Sequence, residues 1–246
     1  MSLATFVLEG VATVAVGDSV TLGGSEGHHA VTVRRIRGGE QIALTDGTGT
    51  TAVVTVTETG KKSLSGTVDA VSTVAADAQR VVVVQAIPKG ERGELAVEML
   101  TEVGVDVIVP WAASRSVAVW RGERAEKSLS KWRSAAREAA KQARRSWFPE
   151  VTDVATTEDV VALLAKAGVP VVLHEAASGP LANIPIPGRA EIVIVVGPEG
   201  GITDEELAAF AAVGAEPVRM GTSVLRSSTA GVAAAAALLS RTPRWR

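Results

Sequence analysis

The sequence contains no cysteine, and aromatic residues make up only 3% of its 246 residues. The absence of cysteine excludes disulfide bonds, thiolate metal sites and a cysteine nucleophile. Val, Ala, Leu and Ile must build the core, because hydrophobic residues reach 46% with few aromatics among them. No apolar run approaches the roughly 18 to 20 residues that span a bilayer, and no basic region precedes an apolar stretch at the N-terminus, as it would in a secretory signal. We therefore expect a cytoplasmic protein without a membrane segment.

Metal-ligating side chains of the histidine and cysteine type are also scarce. His28 and His29 are adjacent in the sequence. Too few other side chains of this type remain to complete a zinc site around them. We therefore expect no metal.

The formal net charge is only −2, which argues against a protein that coats nucleic acid through charge alone. The small total conceals a segregation of charge, because residues 115–145 contain ten basic side chains and three acidic ones. Such a segment is a candidate phosphate-binding surface. A solvated helix face explains the same composition, and composition does not decide between the two.

Residues 1–74 contain short segments rich in Val and Thr, separated by glycine-containing turns, which is typical of β-strands. Strands are predicted at 5–8, 19–22, 30–36, 41–45, 50–57 and 65–72. Their number and spacing predict a small β-barrel. A hydrophilic joint at residues 75–80 marks the domain boundary, so that residues 1–74 form one domain and residues 75–246 a second.

After residue 80, segments typical of strands and helices alternate, including a long basic helix predicted at 125–146. This alternation predicts an α/β domain with a mostly parallel sheet covered by helices on both faces. Its most informative stretch starts with the apolar run 192–196 and continues with the glycine-rich sequence GPEGG at 197–201. Thr203 and Glu206 then have the spacing of a helix capping box. A short strand at 217–220 leads into a second loop, MGTSVLRSSTA.

Three strand-to-loop junctions stand out in this domain, at residues 173–179, 196–201 and 220–226. If the strands are adjacent and parallel, the three loops emerge at the same edge of the sheet and can bind a ligand through exposed backbone groups. Alternatively, GPEGG is only a turn before a capped helix. A dinucleotide site or a phosphate-binding P-loop fits less well, because the glycine spacing matches neither motif.

These motifs resemble the RsmE family of ribosomal RNA methyltransferases. The resemblance is carried by GPEGG, by MGTSVLRSSTA and by the segment 28–47, in which His29, Arg35, Gly39 and Asp46-Gly47 occupy recurrent positions of the family. Residues 88–92, 101–105, 114–117 and 138–145 have counterparts too, so the resemblance extends from about residue 6 to residue 239. The chain departs from the family where Ser227 and Ser228 replace the usual Thr and Glu.

The resemblance implies a SPOUT-type knotted parallel-sheet domain preceded by a small PUA-like β-barrel. It also implies methylation of N3 of a uridine in 16S ribosomal RNA, with S-adenosylmethionine as the cofactor and the small ribosomal subunit as the partner. The helix predicted at 230–240 is apolar nearly all round, and such a helix is normally buried on every side. It belongs either to the core of a monomer or, as the resemblance implies, to the interface of a homodimer.

The resemblance and the three loops together predict the binding residues. The predicted cofactor-binding residues are Leu173, His174, Glu175, Gly197, Glu199, Gly200, Gly201, Met220, Gly221, Val224 and Leu225. The predicted RNA-binding residues are Arg35, Arg37, Lys89, Arg92, Arg115, Gln142 and Arg145. Tryptophans near the basic segment either stack on bases or belong to the core, and the helical spacing of Trp132 favours the core.

Arg226 and Glu199 are the predicted catalytic residues. The guanidinium of Arg226 can position the uracil or a phosphate or stabilise negative charge on the base, or it can simply pair with Glu199. Glu199 can bind a ribose hydroxyl, orient Arg226, or cap the following helix. His174 is a candidate base, although a single histidine at a strand end is more often structural. No residue is an obvious general base.

Two other functions remain compatible with the sequence. One is another specificity of the same class, such as 2′-O-ribose methylation. The other is a ribosome assembly factor that binds RNA without catalysis. Binding of S-adenosylmethionine and the position of the transferred methyl group distinguish these possibilities.

Overall fold

The structure is a computed structural model that describes residues 3–90 and 92–245. The chain divides into two compact units. Unit 1 contains the residues up to Ala76 together with Ala140–Phe148, and unit 2 contains Asp77–Ala139 and the residues from Pro149 onward. The domain boundary predicted between residues 74 and 75 stays a proposal, and it assigns residues 140–148 differently from this division.

Within the described part of unit 1, five strands form one sheet in the order β1-β3-β4-β5-β2. The strands are β1 (Ala4–Val7), β2 (Ser19–Leu22), β3 (Gln41–Thr45), β4 (Thr50–Thr59) and β5 (Leu64–Thr73). β1 pairs with β3 in parallel, and the other pairs are antiparallel. Buried and partly exposed residues alternate along β4 and β5, so one face of the curled sheet forms the core of the barrel.

The prediction of a strand at residues 30–36 is wrong. Helix α1 (Gly24–His28) and a π-helical turn at His29–Val33 occupy this region. A Cβ atom at Gly27 would lie 2.6 Å from the carbonyl oxygens of Leu22 and Lys62, so glycine lets the helix lie directly on its neighbours. This packing, with Ala30 fully buried, overrides the strand preference of the Val and Thr residues.

The segment Ala140–Phe148 belongs to unit 1 because it makes specific contacts there. The ammonium of Lys141 lies 2.9 Å from the carboxylate of Glu26, and both side chains are largely buried. The indole N–H of Trp147 donates to the carbonyl of Val74 at 2.8 Å. The long helix predicted at 125–146 ends earlier, at Gln142, and Arg144 just beyond it has a φ of 53°.

Within the described part of unit 2, the strands form a parallel sheet in the order β10-β12-β9-β11-β6-β7-β8. They are β6 (Val81–Ala86), β7 (Val107–Trp111), β8 (Glu150–Val151), β9 (Val169–Leu173), β10 (Gly179–Pro180), β11 (Ile192–Val196) and β12 (Pro217–Arg219). The central strands β6 and β11 are buried along their whole length. Their continuous apolar sequences therefore reflect cover on both faces.

Helices provide this cover. They are α2 (Arg92–Val103), α3 (Glu123–Gln142), α4 (Thr157–Leu164), α5 (Asp204–Ala211) and α6 (Ser227–Leu239). Residues of α2, α3 and α6 form one core layer with Val81 and Val83, and residues of α4 and α5 form the other layer with Val82 and Val84. The predicted α/β fold with a parallel sheet is confirmed.

Helix α6 lies especially close to the sheet and to α2. A Cβ atom at Gly231 would lie 3.2 Å from the Val196 side chain and 3.3 Å from that of Leu100. Because Gly231 lies near the carboxyl end of β11, the N-terminal turn of α6 is held close to the edge where β11 ends. The loop that precedes α6 therefore meets the loops that follow the strands.

Candidate active site

Strands β9, β11 and β12 end at the same edge of the sheet. Val196, the last residue of β11, pairs with Leu173, the last residue of β9, and Leu173 pairs on its other side with Val218 of β12. The expected meeting of three loops at one edge is confirmed by this register. In open α/β sheets, ligands bind at such carboxyl edges.

A cavity of about 480 Å³ lies among these loops. Its volume is within the range of roughly 300 to 1,000 Å³ that is usual for small-molecule sites. The lining residues are Arg92, Leu173, His174, Glu175, Val196, Gly197, Pro198, Glu199, Gly201, Ile202, Val218, Arg219, Met220, Gly221, Thr222, Ser223, Val224, Leu225, Arg226, Ser227 and Ala230. Apolar side chains and loop backbone thus form much of the wall.

The cavity brings together the predicted cofactor-binding residues with one exception. Gly200 does not line it but faces the neighbouring segment, where a Cβ atom would lie 2.9 Å from the carbonyl oxygen of Arg115. Arg226 and Glu199, the predicted catalytic residues, both line the cavity. The roles of these residues in binding and catalysis stay predictions.

Two glycines give the cavity its exposed backbone. Gly201 has a φ of 76°, which glycine adopts without strain, and its N–H donates to the carbonyl of Pro198 in a tight turn. Gly221 has a φ of 114° and open space where a Cβ atom would be. The peptide groups of both loops can therefore approach a ligand closely, as an adenosyl group held by backbone requires.

Glu199 pairs with Arg92 rather than with Arg226. Its Oε1 lies 3.9 Å from Nη1 of Arg92 and accepts a 3.4 Å hydrogen bond from the backbone N–H of Lys89. Thr203, rather than Glu199, caps α5. The alternative in which Glu199 caps this helix is therefore wrong.

Arg226 is the N-cap residue of α6 and its side chain is exposed. Its guanidinium has no hydrogen-bond or ion-pair partner within the described residues, and it lines the same cavity as Arg92. The structure therefore contains no ion pair between Arg226 and Glu199. Its donors face the cavity region free to bind an anionic or carbonyl oxygen.

His174 has a local structural contact. Its ring Nδ1 accepts a 3.2 Å hydrogen bond from the backbone N–H of Ala176, while the backbone N–H of His174 donates to the carbonyl of Val218 at 3.0 Å. The Nδ1 atom of His174 therefore shapes the loop through this contact. The role of His174 in binding stays a prediction.

Glu206 is an organising residue that the sequence analysis found only as part of a capping box. Its side chain is 3% exposed. Oε1 accepts hydrogen bonds from the backbone N–H and hydroxyl of Ser114 at 2.9 Å each and from the Thr157 hydroxyl at 3.2 Å, and Oε2 accepts from the Thr203 N–H at 2.9 Å. The predicted capping box is confirmed. The hydrogen bonds of Glu206 to Ser114 and Thr157 could not be predicted, because these residues are far from it in the sequence.

The environment of Glu206 favours the ionised carboxylate. Burial works to raise the pKa of Glu206, but the hydrogen bonds from Ser114, Thr203 and Thr157 outweigh burial and hold the pKa below its ordinary value. A charged carboxylate therefore joins the segment at Ser114, the start of α4 and the loop before α5. Arg115, next to Ser114, lies against this loop with Nη1 3.5 Å from the carbonyl oxygen of Gly200.

The predicted RNA-binding residues lie in both units. Arg35, Arg37 and Gln142 are exposed and Arg145 is partly exposed in unit 1, while Lys89, Arg92 and Arg115 are exposed in unit 2. Their accessibility is compatible with contact to phosphates, and their role stays a prediction. Arg35 has a φ of 55° and lies in a turn after the π-helical segment, so its position depends on the helix that replaces the predicted strand.

Two of the tryptophans belong to the core. Trp111 and Trp132 are 0% and 2% exposed, so neither is available to stack on RNA bases. Trp120 contacts Trp132 edge-on, with ring centroids 5.1 Å apart. The interpretation that Trp132 belongs to the core is confirmed.

No group of three or more His, Asp or Glu side chains within residues 3–90 and 92–245 is arranged to hold a metal ion. Over the same ranges, none of the helices has the length and apolar character of a membrane span.

Comparisons with known proteins agree with this architecture. The RNA methyltransferase domain family matches residues 76–239, and the RNA methyltransferase PUA domain family matches residues 22–69. The ribosomal RNA small subunit methyltransferase E of Mycobacterium tuberculosis is 44% identical over 93% of this chain and 89% of its own length. The Bacillus subtilis protein of the same name is 28% identical, with 87% of each chain covered.

Solved structures show the same likeness. The ribosomal RNA small subunit methyltransferase E of Neisseria gonorrhoeae, bound to S-adenosylmethionine, has a TM-score of 0.86 at 26% identity, with 98% of each chain covered. A Legionella pneumophila protein solved with the same cofactor has a TM-score of 0.88 at 26% identity, again over 98% of each chain. An RNA methyltransferase PUA domain together with an RNA methyltransferase domain of α/β fold defines the class of RNA methyltransferases. Within that class, the chain belongs to the ribosomal RNA small subunit methyltransferase E family.

Proposed function

We propose that this protein transfers the methyl group of S-adenosylmethionine to N3 of a specific uridine in 16S ribosomal RNA. One observation carries the proposal: the loops after β9, β11 and β12 enclose one cavity at a shared edge of the sheet. The family membership supplies the reaction class, and the small ribosomal subunit or its RNA is the partner. Such a substrate places the enzyme in the cytoplasm.

The residues of the cavity fit an adenosyl group. Leu173, Met220 and Leu225 provide apolar walls, and the turns at Gly201 and Gly221 expose backbone groups that can bind the adenine and ribose. When bound, S-adenosylmethionine supplies an electrophilic methyl group, so the protein needs no covalent intermediate. The task of the chain is to hold the nucleophile and the methyl group in line, which can lower a barrier by about 7 to 11 kcal/mol in favourable cases.

Arg226 is the residue best placed to act on the target base. It lines the cavity, is exposed, and has no partner in the described chain. Its guanidinium can donate to a uracil carbonyl oxygen and stabilise the negative charge that develops when N3 loses its proton. Glu199 and Arg92 form a neighbouring ion pair that keeps a second cation at the rim of the cavity.

The exposed cations account for RNA binding in this proposal. Lys89, Arg92 and Arg115 surround the loop that contains Gly200, and Arg115 contacts it directly. Arg35, Arg37, Gln142 and Arg145 supply further contacts from unit 1. The target uridine must leave its stack to reach the cavity, as with other enzymes that modify bases.

The protein is also proposed to act as a homodimer. Helix α6 has almost no polar side chains after its first turn, yet Ala237 is exposed and Ala233 only partly covered in the single chain. Val224, in the loop before this helix, is 77% exposed. A second copy packed on this surface would bury these apolar groups beside the cavity. Light scattering at micromolar concentration should give twice the chain mass, and a monomeric mass would contradict the dimer.

The decisive experiment is methyl transfer from radiolabelled S-adenosylmethionine to small ribosomal subunits that lack this modification. The labelled RNA is digested to nucleosides and the position of the methyl group is determined by mass spectrometry. N3-methyluridine is expected. A 2′-O-methyl nucleoside would overturn the assignment of the base, and failure of calorimetry to detect cofactor binding would favour a non-catalytic assembly factor.

A further inference from the structure

A second cavity lies in unit 1, and it is lined by none of the predicted cofactor-binding or RNA-binding residues. It is an open groove of about 940 Å³. Its lining residues are Leu3, Ala4, Val33, Arg34, Ile36, Gly39, Glu40, Gln41 and Thr55. All of them belong to unit 1, and those from Val33 onward fall within the match to the RNA methyltransferase PUA domain. The proposed methyl transfer gives this groove no role.

The floor of the groove comes from the sheet. Ala4 is the first residue of β1, and Gln41, the first residue of β3, pairs with Thr55 of β4. The side-chain amide of Gln41 and the hydroxyl of Thr55 both donate to the same oxygen of Asp69, at 3.0 and 2.6 Å. These hydrogen bonds fix the floor of the groove.

The segment after the π-helical turn forms a wall of the groove. Arg35 has a φ of 55°, and the N–H of Ile36 donates back to the carbonyl of Ala30 at 3.1 Å. A left-handed residue followed by such a hydrogen bond is a common way for a helix to end. After this turn Ile36 is buried in the core of unit 1, whereas Arg34 is exposed and lines the groove. The Arg34 guanidinium has no hydrogen-bond or ion-pair partner within the described residues.

Glu40 gives the groove an acceptor that is held in place. Its Oε1 accepts a 3.1 Å hydrogen bond from the backbone N–H of Arg37, and its carbonyl accepts from the N–H of Val56 at 2.9 Å. Its Oε2 has no donor among the residues that the structure describes. Because an ionised carboxylate can only accept hydrogen bonds, the group that binds here must carry an N–H or O–H donor.

Apolar side chains complete the groove. Leu3, Val33 and Ile36 line it, and Val33 is 62% exposed. The groove therefore combines an apolar surface with the cation of Arg34 and the acceptor of Glu40. An unpaired nucleotide offers a matching set of groups, namely a flat base, N–H donors on the edge of that base, and a phosphate. A surface that bound phosphates alone would gain nothing from a carboxylate, which repels them.

We propose that this groove binds one unpaired nucleotide of the RNA substrate, other than the uridine that is methylated. The base packs on the apolar side chains, its amino group donates to Glu40, and the phosphate binds Arg34. Cytosine carries an amino group where uracil carries a carbonyl oxygen, and a carboxylate accepts from the first and repels the second. The inference rests on the proposed RNA substrate and adds a preference for a base with an amino group.

The test measures binding of fluorescein-labelled oligo(C) and oligo(U) RNA to the full-length protein by fluorescence anisotropy. We expect the wild type to bind oligo(C) more tightly than oligo(U). Glu40→Gln should weaken binding of oligo(C) roughly tenfold, as loss of a hydrogen bond to a charged group predicts, without weakening binding of oligo(U). The glutamine retains an acceptor for the N–H of Arg37, so the turn should keep its structure.

The same measurement at several salt concentrations tests the phosphate contact. Arg34→Ala should weaken binding of both probes and lower the slope of log affinity against log salt by about 0.7, the value for one contact to a single strand. Arg34→Lys should restore the slope, because a lysine binds phosphate as a point charge. Glu58→Gln and Lys61→Ala are the matched controls, since both residues are exposed in unit 1 and line neither cavity. Both controls should keep the wild-type preference and slope.

Equal affinity of the wild type for the two probes, or an unchanged preference in Glu40→Gln, would overturn the proposal. So would an unchanged salt slope in Arg34→Ala, and the groove would then be left to a protein segment or to no ligand. A wild-type protein that methylates small subunits but lacks the preference defeats only this inference. A wild-type protein that shows the preference but transfers no methyl group defeats the proposed reaction and leaves the groove assigned to RNA.

Discussion

The Glu206 carboxylate accepts hydrogen bonds from both the backbone N–H and the hydroxyl of Ser114, each at 2.9 Å. These residues are 92 positions apart in the sequence. The contact fixes the segment that presents Arg115, while the capping box of the same carboxylate fixes the loop that follows Gly200. One buried charge therefore joins these segments beside the loop that lines the cavity at Gly201 and Ile202.

Replacement of Glu206 by glutamine should destabilise the protein by about 1 to 3 kcal/mol at neutral pH, because a buried charged acceptor is lost. The pKa of Glu206 is lower in the folded protein than its ordinary value. Its stabilising effect is thus full above the ordinary carboxyl pKa of about 4 and is lost as the pH falls through the lowered folded pKa.

The difference between wild type and Glu206→Gln should therefore shrink in acid. Urea unfolding at pH 7 and at successively lower pH measures it. Glu216 is exposed and provides the control, since Glu216→Gln should leave stability unchanged at every pH. A difference that does not depend on pH would show that the charge of Glu206 is not what stabilises the fold.

Replacement of Gly200 by alanine should disturb the cavity without adding a group to it. The new Cβ would lie 2.9 Å from the carbonyl oxygen of Arg115 and 3.0 Å from its Cβ, so two backbone segments must separate. We expect roughly tenfold weaker binding of S-adenosylmethionine, equivalent to about 1.4 kcal/mol. Calorimetry measures the affinity.

Gly179 is the matched control for this substitution. A Cβ atom there would meet no other atom within 4 Å, so Gly179→Ala should bind the cofactor normally. Equal affinity of the two variants would show that the contact between Gly200 and Arg115 does not shape the cavity.

Replacement of Arg226 by alanine should abolish methyl transfer while leaving the fold and cofactor affinity largely intact. The guanidinium has no structural partner in the described chain, so its removal costs little stability. Loss of one preorganised donor to a developing negative charge typically lowers the rate by about 100- to 1,000-fold. Single-turnover methyl transfer to small subunits measures the effect.

Arg189 is exposed and does not line the cavity, so Arg189→Ala serves as the control for charge alone. It should methylate at the wild-type rate. Turnover by Arg226→Ala at that same rate would remove this arginine from the mechanism.

Replacement of Arg244 by alanine should destabilise unit 2 without affecting the chemistry. Its guanidinium forms a two-pronged contact with Asp106, at 2.6 and 3.2 Å, and also donates to the carbonyls of Gln79 and Gly104. Because the Asp106 carboxylate is largely buried, breaking the pair should cost about 3 kcal/mol. Thermal unfolding measures this cost.

Cofactor affinity provides the check on the Arg244 variant. Measured at a temperature where Arg244→Ala is folded, it should equal that of the wild type. A selective loss of affinity with unchanged unfolding would contradict a purely structural role for this ion pair.

Several local features could be predicted from particular residues. The apolar run at Ile192–Val196 and the capping residues Thr203 and Glu206 have patterns set by the geometry of a single strand or helix turn. The positions of the three loops follow from the rule that parallel strands end at the same edge. These features need only neighbours in the sequence or a general rule of topology.

Other features depended on contacts that no local pattern contains. The prediction of a strand at 30–36 failed because Gly27 packs against the carbonyls of Leu22 and of the distant Lys62, and Ala30 is buried in the core of unit 1. The role of Lys141 could not be predicted either, because its partner is distant in the sequence. It lies in a segment that composition describes as basic surface, yet its ammonium is buried against Glu26.

The sequence by itself determined the parallel α/β domain, the glycine loops, the caps and the family resemblance, because periodicity and turn chemistry act over a few residues. Only the tertiary structure decided that Glu206 joins three segments and that Glu199 pairs with Arg92 rather than Arg226. The physical reason is that hydrogen bonds and ion pairs between distant residues are chosen by how the chain packs, and packing is a property of the whole fold.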